Sequence, residues 1–292
     1  MPPMKRLLPF GFALLLAAVG ATTLPAAAQP EAAAAAPVAG VRRIADLPYG
    51  PDPRQRMDVY LPANARTAPV LVMVHGGAWM FGDKAAASVV GPKIEHWVRE
   101  QGFVLVSVGY RFVPQVDVAQ QAQDVARALA AVQSQAPSWG GDPSRVVLMG
   151  HSAGAHLVAL LAASAPLARQ QGARPWLGTV ALDSAALDTA ALMERPHLRF
   201  YDRVFGADPA FWRRVSPTEQ LAPGTAPLLL VCSTQRRDGS CAQARAFADR
   251  VTARGGHAEL LPQDLSHGAI DAELGLPGGY TSAVDGFIRS LR

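Results

Sequence analysis

Apolar positions along this chain fall into two patterns. Short runs rich in Val and Leu, at 70–74, 103–108, 145–149, 178–182, 227–231 and 258–261, predict strands, several of them apolar on both faces. Longer stretches between them have helical spacing, at 85–101, 116–135, 155–165, 242–254 and 280–290. In 116–135 the residues Val118, Ala122, Val125, Leu129 and Val132 form one stripe. A partly alternating run at 55–61 suits an early edge strand.

Strands that alternate with helices predict an α/β fold with a mostly parallel central sheet and helices on both faces. Ligand sites in such sheets lie beyond the carboxyl ends of the strands. His75, Ser152, Asp183, Asp238 and His267 all follow strands, so the topology can gather them at one edge. The stretch from 185 to 223 interrupts the alternation and carries Phe200, Tyr201, Phe205, Phe211 and Trp212, which predicts a small cap over that edge.

Two short motifs sit at strand ends. Gly150-His151-Ser152-Ala153-Gly154 lies between the run 145–149 and the Ala/Leu-rich helix that follows. A G-x-S-x-G pattern in a strand-turn-helix setting is a nucleophile elbow: the serine occupies a strained turn, and flanking glycines let strand and helix nearly touch. His75-Gly76-Gly77-Ala78-Trp79 follows the run 70–74, where consecutive glycines let backbone N–H groups turn inward. Such donors hold the oxyanion of a tetrahedral intermediate, and losing one costs about 2.7–4 kcal/mol of barrier.

With these motifs the chain resembles the α/β-hydrolase family, in particular its HGG-type serine esterases, the hormone-sensitive-lipase-like and feruloyl-esterase-like branches. The resemblance runs from about Gln55 onward. It implies an α/β-hydrolase fold and a serine carboxylesterase acting on small-to-medium esters through an acyl-enzyme on Ser152. It also implies an oxyanion hole built from the N–H groups of Gly76, Gly77 and Ala153. In this fold the acid and then the histidine follow the serine. His267, in a loop after the last strand and beside Gly268, matches the family's catalytic base. His156 and His75 read better as packing or buttressing residues. The acid usually comes from the loop after the strand at 227–231, whose carboxylate is Asp238, and Asp238 is the expected triad acid. Six residues, Cys232 to Arg237, separate it from that strand, and Asp183 at the end of the preceding strand is the second candidate. Asp83 lies in the region of the family's oxyanion loop or starts the next helix, and Trp79 lines the pocket or packs beneath that loop.

Composition narrows the setting. Lys5-Arg6, the apolar run 7–19 and Ala26-Ala27-Ala28 predict a signal peptide at 1–28, followed by a disordered Ala/Pro-rich tether at 29–40 and a catalytic domain at 41–292. The expected location is therefore periplasmic or secreted, without stable membrane association after cleavage. The net charge of +4 falls to +2 without Lys5 and Arg6, too small an excess to imply nucleic acid. No zinc-type spacing or dinucleotide fingerprint is present, so no metal or cofactor is expected, and the expected partner is a small ester. Cys232 and Cys241 flank one loop, and in an oxidising compartment they predict a disulfide that would hold Asp238 toward His267. The same triad would serve an arylformamidase or amidase, and a non-catalytic hydrolase-fold binding protein is the remaining alternative.

Overall fold

The computed structural model describes residues 33–291, so the signal peptide predicted at 1–28 lies outside the described residues. Eight strands form one sheet: β1 Val41–Pro48, β2 Arg56–Pro62, β3 Ala68–Val74, β4 Val104–Val108, β5 Gly141–His151, β6 Gly178–Leu182, β7 Leu228–Ser233 and β8 Ala258–Gln263. Their order across the sheet is β1-β2-β4-β3-β5-β6-β7-β8. β1 and β2 run antiparallel to their neighbours, and from β4 to β8 the pairing is parallel. The run at 55–61 is thus an interior strand, because β1 pairs along its outer side.

Among the described residues, eleven α-helical segments are interleaved with the strands. They are α1 Ala87–Lys93, α2 Val118–Gln135, α3 Ala153–Ala163, α4 Ala165–Gln170, α5 Thr189–Met193, α6 Phe200–Phe205, α7 Pro209–Arg214, α8 Pro217–Gln220, α9 Ser240–Ala253, α10 His267–Ala272 and α11 Gly279–Ser290. α1 continues into a π-helical turn at Ile94–Glu100. Asp117 starts α2: its side chain accepts from Gln120 N–H, and the Gln120 side chain accepts in return from Asp117 N–H.

Side chains of the central strands divide between two cores, as the period of two demands. Val70, Val72 and Val74 face one core with α2, α3 and α9, while Leu71 and Met73 face the other with α1, the π turn and α11. β7 divides likewise, with Leu228, Leu230 and Cys232 on the first side and Leu229 and Val231 on the second.

The part of the predicted tether that is described, 33–40, is ordered. Ala87 N–H donates to Ala33 O and Ala35 N–H to Ala85 O, and Ala35 and Val38 pack on the second core. Alanine-rich sequence shows little periodicity here because backbone pairing beside α1, rather than an apolar stripe, holds the segment.

Candidate active site

Ser152 stands alone between β5 and α3, with φ 55° and ψ −114°, a conformation costly for a residue with a Cβ. The surrounding crowding explains the two glycines. A Cβ on Gly150 would lie 2.5 Å from the Gly154 carbonyl oxygen, and one on Gly154 would lie 2.2 Å from that of Val74. Ser152 N–H donates to Leu182 O at 2.8 Å, which ties the elbow to the neighbouring strand.

His267 opens α10 and reaches the serine. Ser152 Oγ lies 2.9 Å from His267 Nε2, and on the other side of the ring Asp183 Oδ2 lies 2.6 Å from Nδ1. A carboxylate can only accept, so Nδ1–H donates to Asp183, Nε2 is left bare, and the Ser152 hydroxyl donates to it. Asp183 is the residue just beyond β6, fully buried, and itself in a left-handed conformation with φ 59°. Burial alone would raise its carboxyl pKa. Hydrogen bonds from His267 and from Ser233 N–H, together with the Arg236 guanidinium, hold it down at about 2.

Asp238, the expected acid, does not meet His267. The loop after β7 turns it onto Arg236, whose Nε donates to Asp238 Oδ1 at 2.9 Å while Nη2 meets the other carboxylate oxygen. Arg236 Nη1 then occupies the space beside the imidazole, donating to Asp183 O at 2.9 Å and Oδ2 at 3.2 Å. The physical reason is adjacency. β6 and β7 are paired in parallel with Leu182 opposite Val231, so the first residue past β6 already lies under His267. Cys232 and Cys241 are joined by a disulfide, and the bridged loop presents Arg236, not Asp238, to the histidine.

The glycine loop lies against Ser152. A Cβ on Gly76 would stand 3.0 Å from Ser152 Cβ. Gly77 has φ 122°, where a Cβ would collide with the Phe81 carbonyl at 1.9 Å, and Ala78 and Trp79 also have positive φ. Ala153 is the first residue of α3, so its N–H has no carbonyl one turn back to bond. His75 is buried, stacks on Tyr110 at 4.6 Å, and its Nδ1–H donates to Gly76 O at 2.7 Å. The Trp79 indole packs beneath the loop and lines the cavity as well: its N–H donates to His156 Nδ1 at 3.2 Å, and His156 Nε2–H donates to Val215 O at 2.7 Å. Both partners require neutral His156, and burial pushes its pKa down to about 4. One buried imidazole thus joins the glycine loop, the helix that follows Ser152 and segment 185–223. Asp83 caps the turn ahead of α1, its Oδ1 accepting from Ala85 N–H at 2.6 Å.

A second buried chain supports His267 from below. Lys93 Nζ, with no exposure, donates to Asp271 O at 2.6 Å and Oδ1 at 2.8 Å. Asp271 Oδ2 lies 3.5 Å from His151 Nδ1, and His151 Nε2–H donates to the His267 carbonyl at 2.9 Å. Neither Lys93 nor Asp271 stands out in the sequence, since each lies inside a helical segment. A lysine within the apolar segment before Ile94 and Trp97 is the one available signal.

A cavity of about 540 Å³ opens over Ser152 and His267. Its walls are mainly apolar: Trp79, Phe81 and Val89 from the glycine-loop side, Leu198, Phe200 and Tyr201 from the cap. Segment 185–223, which includes α5–α8, therefore forms part of the site wall. Phe81 and Leu198 stand exposed at its mouth. Among the described residues, no group of three or more His, Cys, Asp or Glu side chains is arranged to hold a metal ion.

A serine on a strained strand-helix turn, a histidine after the last strand and a mostly parallel eight-stranded sheet define an α/β-hydrolase fold. The chain belongs to the BD-FAE family, whose family model matches residues 57–250. It is 38% identical over 120 residues to a probable isoprenylcysteine alpha-carbonyl methylesterase, ICMEL1, of Arabidopsis thaliana, covering 41% of this chain and 24% of that protein. Over 220 residues it is 29% identical to esterase LipC of Mycobacterium tuberculosis, covering 70% of this chain and 54% of that one. The chain therefore spans from about a quarter to about half of the length of these relatives. In structure it is similar to esterase B from Lactobacillus rhamnosis, with a TM-score of 0.68 at 22% identity, over 86% of this chain and 85% of the other.

Proposed function

We propose that this protein is a serine carboxylesterase with the triad Ser152, His267 and Asp183. The observation that carries the reading is the unbroken chain of hydrogen bonds, 2.9 Å from Ser152 Oγ to His267 Nε2 and 2.6 Å from Nδ1 to Asp183 Oδ2. Ser152 attacks the ester carbonyl while His267 takes its proton, and Asp183 fixes the tautomer and stabilises the imidazolium. The N–H groups of Gly76, Gly77 and Ala153 receive the oxyanion. His267 then gives its proton to the departing alkoxide, and a water activated by the same nitrogen releases the acyl group.

The cavity's size and apolar walls favour an ester with a small-to-medium acyl or alcohol group. Export to an oxidising compartment is part of the same proposal, supported by Lys5-Arg6, the run 7–19 and Ala26-Ala27-Ala28, and by the Cys232–Cys241 bridge.

The test is hydrolysis of p-nitrophenyl esters from acetate to octanoate, by wild type and by Ser152→Ala. Turnover by wild type alone is expected, with an optimum among the shorter chains. Equal inertness of both proteins overturns the esterase reading, and cleavage of an N-formyl anilide by wild type in the same assay would replace it with formamidase activity.

A further inference from the structure

Arg236 has no part in the scheme above, yet its guanidinium stands beside the imidazole at the centre of that scheme. Its guanidinium Nη1 lies 3.0 Å from His267 Nδ1, and the same nitrogen donates to both the backbone and the carboxylate of Asp183. Two further donors, one on Nε and one on Nη2, are taken by Asp238 in a two-pronged pair. Arg236 is mostly shielded from solvent, with 17% of its side-chain surface exposed, and Asp238 with 30% is the outer member. A planar guanidinium held by two of its nitrogens has little freedom left, so the third is fixed in position.

We infer that Arg236, clamped by Asp238, is a positioning residue that orients the Asp183 carboxylate toward His267 and sets the charge beside the imidazole; this rests on the triad reading given above. The carboxylate of Asp183 has four lone-pair directions to fill. Ser233 N–H holds Oδ1 and leaves Oδ2 to be shared by His267 and Arg236. With Arg236 in place the carboxylate cannot rotate away without breaking a charge-assisted bond.

The same placement has an electrostatic consequence. A cation beside an imidazole disfavours the imidazolium, and a carboxylate favours it. The groups facing His267 are Asp183 and Arg236 at Nδ1, the Ser152 hydroxyl at Nε2, and His151, whose ring centre is 4.6 Å away and which in turn meets Asp271. Arg236 itself faces Asp183, Asp238 and the imidazole, with Tyr201 in the same cavity wall. Removing Arg236 therefore takes a positive charge from beside the imidazole, whereas removing Asp238 leaves that charge in place.

The test is the pH profile of kcat/KM on p-nitrophenyl acetate for Arg236→Met, Arg236→Lys and Asp238→Asn, with Ser152→Ala and Asp183→Asn as controls. For Arg236→Met, kcat falls roughly tenfold to a hundredfold with KM little changed, as misorientation of a reacting group does. Its acid limb moves up by about half to one pH unit. Arg236→Lys recovers the acid limb and part of kcat. Asp238→Asn lowers kcat several-fold and leaves the acid limb at or below its wild-type position. Wild-type kcat and an unmoved limb in Arg236→Met overturn the inference, as does a loss of kcat with an unmoved limb, which would make Arg236 a packing residue. Should Arg236→Met fail to fold, Asp238→Asn at the more exposed partner decides: unchanged kcat and profile overturn the clamp. Controls that keep wild-type hydrolysis would instead sink the triad reading, so the two failures are distinct.

Discussion

Asp183 meets His267 from the end of β6, at 2.6 Å from its Nδ1, while Asp238, one strand further along the sheet, is bound to Arg236. The two carboxylates thus have separable effects. Asp183→Asn leaves an amide able to donate to Nδ1, which favours the tautomer with Nε2 protonated and blocks proton uptake from Ser152. The expected loss in kcat is about 10⁴-fold, as for the acid of other triads. Asp238→Asn is expected to cost no more than about tenfold, because it acts only through Arg236. Stopped assays on a p-nitrophenyl ester measure both, and an Asp238→Asn loss equal to that of Asp183→Asn would return the acid to the loop after β7.

What was legible in the sequence is what depends on local pattern. Apolar runs at strand length and stripes at helix spacing give the α/β class, and a serine between a strand and a helix gives the elbow at Ser152. That His267 can reach Ser152 was legible because it follows the last strand closely. Which carboxylate meets His267 was not, because it depends on which strand end lies beneath the histidine, and β6 and β7 end side by side. Distance along the chain favours Asp183, which follows its strand with no spacer, over Asp238, which six residues separate from the predicted strand 227–231; the family resemblance points to the later loop, and Asp238 is the acid expected on that ground. Arg236 was hidden for a related reason: its place beside Arg237 makes only a local basic pair in the sequence, and the fold alone turns it toward Asp183. The run 55–61 reads as an edge strand because β1, with its half-exposed residues and a register shift between Ile44 and Leu47, lacks a clean alternation.

His156 makes the fold sensitive to acid. Its folded-state pKa of about 4 lies below the ordinary 6.5, so between those values the unfolded chain binds a proton that the native protein excludes. Stability is therefore present above pH 6.5 and is lost as the pH falls toward 4, by up to about 3 kcal/mol for this one group. Asp183, held at about 2 against 3.8, adds a loss in the window below pH 3.8. Urea midpoints between pH 7.5 and pH 4 measure the first slope. His156→Gln, which keeps a donor and an acceptor but does not titrate, is expected to be less stable at neutral pH and to show a flatter slope; an unchanged slope would assign the acid sensitivity elsewhere.

The buried pair of Lys93 and Asp271 anchors α10, the helix that begins with His267. Removing one partner leaves an uncompensated charge in the core, at a cost of about 3–5 kcal/mol, whereas removing both charges costs less. Lys93→Met is expected to lower the unfolding free energy by that amount, and Lys93→Met with Asp271→Asn to recover part of it. Thermal melts of the two single variants and the double variant form the cycle. Additive losses in that cycle would mean the 2.8 Å contact carries no coupling.

The Cys232–Cys241 bridge closes the loop that carries Arg236 and Asp238, spanning nine positions. A cross-link over so short a loop stabilises by about 2.5–3 kcal/mol through the unfolded chain. Reduction has a second effect here, because β7 and α9 then hold the loop without a covalent tie and Arg236 loses part of its fixed placement. Cys241→Ser and the reduced wild type are therefore expected to melt several degrees lower and to lose activity at temperatures where both remain folded. The acid limb of their pH profiles is expected to move in the direction of Arg236→Met. Reduced protein with wild-type kcat and an unmoved limb would confine the bridge to stability, and the loop would then be held by its hydrogen bonds, Gln235 Nε2 to Asp264 O and Ser233 Oγ to Leu265 O, without help from the cystine.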